Sequence, residues 1–201
     1  MKIRLMVGMM LAIAASSLLG SGQAPANGDD RARMQAQATC EEKLLHDAGA
    51  KEVLSGDEYV ILQGVAKAFE LDRAPRLYFF SGGGNSYYIA GSLSLDGRGK
   101  ILISREFADL IGGGSAFEGV LAHETAHLVV DVHGDTSCDA WVMRDPKVEE
   151  AADALAATKV GFGPLTAFLM RVEKMTGTTG GETGSRLQAL EKLEAQKKRQ
   201  R

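Results

Sequence analysis

Five consecutive residues carry the strongest chemical signal in the chain: His123, Glu124, Thr125, Ala126 and His127. Histidines four apart lie just over one helical turn from each other, so both imidazoles project from one face. Two neutral imidazole nitrogens on one face suit a single zinc ion. The carboxylate of Glu124, beside the first histidine, then points toward the open position of that ion. There it can act as general base on an attacking water and pass the proton on to a leaving amine. Chance alone produces this pattern in about one chain in a hundred of this length. Three of the four histidines, His123, His127 and His133, fall within eleven residues.

A catalytic zinc needs a third protein ligand and one open site. The downstream candidates are His133, Asp135, Asp139, Asp145, Glu149 and Glu150. His133 lies six residues past His127, which turns it well off the ligand face of a continuing helix. Glu149 and Glu150 open a separate helix that could pack against the first and present one of them to the metal. Glu149 and Asp153 are four apart and share a face. Glu149 could ligate while Asp153 orients a ligating histidine through its ring N–H.

The elements that must position these groups are legible in outline. A helix from Ala116 to about Val132 carries the two histidines, with Ser115 and Glu118 as a capping box. Phe117, Val120, Leu121, Leu128 and Val129 are its expected core residues. Asp145-Pro146 opens a helix that runs to about Val160. Gly161-Phe162-Gly163-Pro164 is a sharp turn into a helix of Leu165–Met175. Thr176–Gly184 reads as a mobile Gly/Thr-rich link, and a last helix starts at Ser185. Upstream, residues 29–48 could be helical. Residues 57–71 place Val60, Ile61, Val65, Ala68 and Phe69 at helical spacing, with Ser55 or Asp57 as cap. Three strands follow, Arg76–Ser81, Tyr87–Leu95 and Lys100–Ser104, separated by Gly82-Gly83-Gly84 and by Asp96-Gly97-Arg98-Gly99. A short helix covers Ser104–Ile111. The expected class is α+β, mostly helical, with a small sheet of about three strands beside the helix of the two histidines.

Composition adds limits. The 201 residues suit one domain with a real core. Lys2 and Arg4, the apolar run Leu5–Leu19 and the small residues Ala24-Pro25-Ala26 form the three-part pattern of a secretory signal. An uncleaved N-terminal anchor is the alternative. Residues 1–26 read as signal and 27–201 as a single domain, exported to the periplasm or beyond. Without the signal the chain carries 21 basic and 26 acidic residues. No basic stripe crosses the middle of the chain, so nucleic acid is not expected as a partner. The apolar run is short for a membrane span, and no second run approaches that length. Cys40 and Cys138 are a disulfide candidate in an oxidising compartment.

H-E-x-x-H followed by Glu149-Glu150-Ala151-Ala152-Asp153 resembles peptidase family M forty-eight. That family holds the prenyl-protein CaaX endopeptidases, the heat-shock membrane protease HtpX and soluble periplasmic relatives. The resemblance spans most of residues 75–195. Val120-Leu121-Ala122-His123-Glu124 and Val129…His133-Gly134 are similar to its active-site helix. Lys159-Val160-Gly161-Phe162-Gly163-Pro164 looks like its Gly-aromatic-x-Pro turn. Ser185-Arg186-Leu187…Leu190 looks like its closing arginine helix, and Asn85-Ser86-Tyr87 like the strand that borders the cleft.

The resemblance implies a zincin-like fold of the minimal gluzincin form. It implies one Zn2+ on His123, His127 and Glu149, with Glu124 catalytic and Asp153 behind a ligand. It gives Arg186 a contact with the substrate or the transition state. The chain departs from the family pattern at Thr179–Gly184, where a His-Pro usually stands, and in a short interval between His127 and Glu149. The implied activity is a zinc endopeptidase acting on exported or cell-envelope proteins, with protein quality control as one setting. The alternative is an inactive zinc-binding chaperone or interaction module.

Overall fold

The computed structural model describes Glu42 and residues 45–47, 49–81, 90–93, 98–130, 146–177 and 181–200. Four strands are described: β1 Lys51–Glu52, β2 Arg76–Phe80, β3 Ala90–Leu93 and β4 Lys100–Ser104. Six longer helical elements are described: α1 Asp57–Ala68, α2 Arg105–Ile111, α3 Ser115–Val130, α4 Pro146–Val160, α5 Phe162–Thr176 and α6 Glu182–Arg199. The class is α+β, mostly helical with a small sheet, as expected. Cys40, Cys138, His133, Asp135, Asp139, Asp145, Asn85–Tyr87, the signal segment and most of the helix expected over 29–48 lie outside the described residues. Among the described residues, no helix is long and apolar enough to cross a membrane.

The sheet order is β1-β2-β4-β3. β2 runs parallel to β4, with Arg76 opposite Lys100 and Phe80 opposite Ser104. β3 runs antiparallel on the other side of β4, with Ala90 opposite Ile103 and Leu93 opposite Lys100. All five positions of β4 are buried, and so are four of the five in β2. Strands covered on both faces read as apolar runs, which is how Ile101-Leu102-Ile103 and Leu77–Phe80 stand out in the sequence. β1, a two-residue strand beside β2, has no such pattern, and sequence reading missed it.

The stripe expected on α1 needs one correction. Val65 and Phe69 are buried, Ile61 packs against the core and Ala68 is half-buried, while Val60 is 67% exposed. Leu62 and Ala66 face the core in addition. The end of α1 is corrected too. Gly56, at φ 98°, precedes the helix, and no side chain caps it. Asp57 and Glu58 suit the helix dipole instead.

α3 is the centre of the molecule. From Ala116 to His127 every residue but Glu118 is buried. It packs against α1, α4, α5 and β3, and a helix covered on every side is apolar all round. Two residues mark where it leaves the core. Leu128 is half-buried and packs on the core, whereas Val129, expected inside, is 41% exposed.

Three helix starts also differ. Ser104 caps α2, its Oγ accepting from the Phe107 N–H at 3.1 Å. α5 begins at Phe162 rather than Leu165, with Pro164 in its first turn, where no N–H partner is needed. α6 begins at Glu182, so Glu182–Gly184, expected to be part of a mobile link, are helical.

Gly119 explains how α3 and α5 come so close. A Cβ there would run into the Pro164 carbonyl oxygen, would meet its carbon at 2.7 Å, and would meet the Phe168 Cβ at 2.8 Å. Backbone cannot yield as a flexible side chain can. Gly119→Ala is therefore expected to destabilise the fold by about 1–3 kcal/mol through overpacking, even though alanine is the better helix former. Chemical denaturation checks this, and a variant as stable as the parent contradicts the close packing.

Candidate metal centre

Three buried or nearly buried side chains converge where α3 meets α4. His123 Nε2 lies 3.1 Å from His127 Nε2. Glu149 closes the triangle, with Oε2 3.1 Å from His123 Nε2 and Oε1 3.3 Å from His127 Nε2. The ligand atoms all lie within 4.8 Å of one another, and this is the one such group among the described residues. The helical spacing of His123 and His127 gives two nitrogens, and α4 supplies the oxygen by packing across α3. Glu150, the other candidate of that pair, is exposed.

The second nitrogen of His123 is also committed. Its Nδ1–H donates to Asp153 Oδ1 at 2.9 Å. This fixes the tautomer that leaves Nε2 facing the cluster. Phe168 on α5 packs against the same imidazole, with ring centroids 5.7 Å apart. Asp153 is 3% exposed and accepts two further hydrogen bonds from Arg186 on α6. Arg186 Nη2 also lies 3.3 Å from His123 Nδ1. Both groups donate, so this is proximity and not a bond. The contacts that the structure gives Arg186 are to Asp153 and Glu149. Sequence reading missed that supporting role, because a lone arginine 33 residues past Asp153 carries no spacing signal.

Charge holds the cluster together. Burial pushes the His123 imidazolium down, but hydrogen bonds to Asp153 and Glu149 outweigh it and raise its pKa to about 9. Burial pushes the Glu149 carboxyl up, but its contacts with the two histidines hold it well below the usual carboxylate range. Asp153 is likewise pushed up by burial and held down by Arg186 and His123. Arg186 is pushed down by burial and raised by Asp153.

Glu124, through its charge, also helps to raise the His123 pKa. It is 5% exposed, and its Oε2 is buried without a hydrogen-bond partner among the described residues. An unpaired buried carboxylate is costly. This buried oxygen belongs to a carboxylate whose charge acts on the ligand candidate His123. The donor set fits a metal ion: two imidazole nitrogens and one carboxylate, with a carboxylate behind one imidazole.

No family model, no curated protein and no solved structure matches the chain. The chemistry of these side chains therefore carries the functional reading.

Two outcomes are expected of the purified chain. Glu149→Ala should weaken metal binding at least about 100-fold, because removing a ligand exceeds the loss from removing a supporting partner, whereas Glu150→Ala should leave it near normal. Equal loss in a chelator competition would reject Glu149 as ligand. Metal uptake should also expel the proton held on His123. A raised pKa means that the proton is present below about 9, so the metal competes with it at neutral pH. Apparent affinity should tighten about tenfold per pH unit from 7 toward 9, with about one proton released at pH 7. Calorimetry in buffers of different ionisation enthalpy measures that proton, and a pH-independent affinity would contradict it.

Proposed function

We propose that this chain is a zinc endopeptidase with a zincin-like fold of the M forty-eight type, acting on exported or cell-envelope proteins. The observation that carries the reading is Glu124, a buried carboxylate whose charge acts on His123 and whose Oε2 has no hydrogen-bond partner among the described residues. A metal held only for structure needs no such group, and a binding module would be more stable without it. A general base has to be kept in this state.

His123 Nε2, His127 Nε2 and Glu149 would hold the ion. When bound, zinc supplies Lewis acidity that makes water a nucleophile near neutral pH and polarises a carbonyl. The protein's own groups do the rest. Glu124 takes up a proton on its free oxygen and returns it to the leaving amine. Asp153 keeps His123 in the tautomer that turns Nε2 toward the ion.

β3 supports a substrate position. It lies at one edge of the described sheet, and α3 packs against it. An extended peptide can add to such an edge through main-chain hydrogen bonds, which favours unfolded segments over compact ones. This is the basis for proposing misfolded exported proteins as substrates.

Glu124→Gln tests the assignment, because it keeps the shape and removes the base. Zinc content and thermal stability should survive, while cleavage of an unfolded protein substrate should fall by about 10²–10⁴. A Glu124→Gln chain that cleaves as fast as the parent, or that fully replaces it in cells, would overturn the endopeptidase reading.

A further inference from the structure

Arg186 stands on α6, outside the ligand set, yet its guanidinium meets both carboxylates of α4. Nε lies 2.7 Å from Asp153 Oδ2 and Nη2 lies 2.9 Å from Asp153 Oδ1, a two-point fork. Nη1 lies 3.2 Å from Glu149 Oε2. Asp153 in turn holds His123 Nδ1 at 2.9 Å. One planar group thus touches one ligand directly and restrains a second through a single intermediary. The arginine side chain is 13% exposed and Asp153 3%, so these contacts are largely withdrawn from water.

We propose that Arg186 is the positioning residue of the metal centre: it fixes Glu149 directly and His123 through Asp153, and so sets how long the ion stays and in what coordination geometry. The inference rests on the metal-centre reading above and adds α6 to it. Geometry explains why arginine is needed. Glu149 and Asp153 are like charges four apart on one helix, which repel. A guanidinium offers N–H groups in several fixed directions in one plane, so it can satisfy both carboxylates at once. A lysine is a point charge and can serve one of them well. Without the fork, Asp153 is held by its hydrogen bond to His123 alone and Glu149 by its contacts with the two imidazoles alone.

The test uses the full chain, freed of metal and reloaded with Co2+ or Zn2+. Arg186→Lys keeps a positive charge, and Arg186→Gln keeps a hydrogen-bonding end without it. Two quantities are measured: the rate at which the ion is lost to excess chelator, and the visible absorption bands of the Co2+ form, which report ligand geometry. Both variants should lose the ion about 10–100 times faster than the parent, as expected for removing a group that orients ligands. Both should show shifted Co2+ bands, with Arg186→Lys recovering part of the rate. Unchanged loss rates and unchanged bands would overturn the proposal, even if peptide cleavage fell. Variants that fail to fold with metal present would also overturn it, because Arg186 would then be a general fold contact. A parent chain that takes up neither ion would remove the metal centre itself, a failure distinct from that of Arg186.

Discussion

Everything in this structure follows from placing ionisable groups on the helix that also forms the core. α3 is buried from Ala116 to His127, and that stretch includes two imidazoles and a carboxylate. Charge withdrawn from water must be paired or it unfolds the protein. α4 therefore brings Glu149 and Asp153, and α6 brings Arg186. Glu124 is the exception, with one oxygen left unpartnered among the described residues, and the exception is where chemistry is expected.

The same constraint governs the apolar contacts. α5 has to lie close enough for Phe168 to wall the His123 ring. That closeness is possible because Gly119 has no side chain. Gly119, one helical turn before His123, thus helps position the imidazole through the close approach of α5 that it permits.

The legible parts were those whose signal is local. H-E-x-x-H, the buried strands Arg76–Phe80 and Lys100–Ser104, and the Glu149–Asp153 face all sit within short windows of sequence. Their period or spacing exposes them. Helix ends and phases were less legible. On α1 the expected stripe took in Val60, which is exposed, and left out Leu62, which faces the core. α5 and α6 start three residues before the expected points, since Phe162 and Glu182 carry no strong cap of their own. Long-range pairings were silent. β1 beside β2, and Arg186 beneath Asp153, depend on tertiary contacts that no window of sequence contains.

The distance along the chain between the parts of the cluster has a temporal meaning. His123 leaves the ribosome 63 residues before Arg186. At about 5–20 residues per second, the two histidines wait several seconds for their last support. α6 docks through Leu187 and Leu190 against the core as well as through Arg186 against the α4 carboxylates. Until that helix arrives, a growing chain carries the ligand candidates but lacks the Arg186 contacts to Asp153 and Glu149. Construction order alone thus keeps an unfinished chain from being a finished centre.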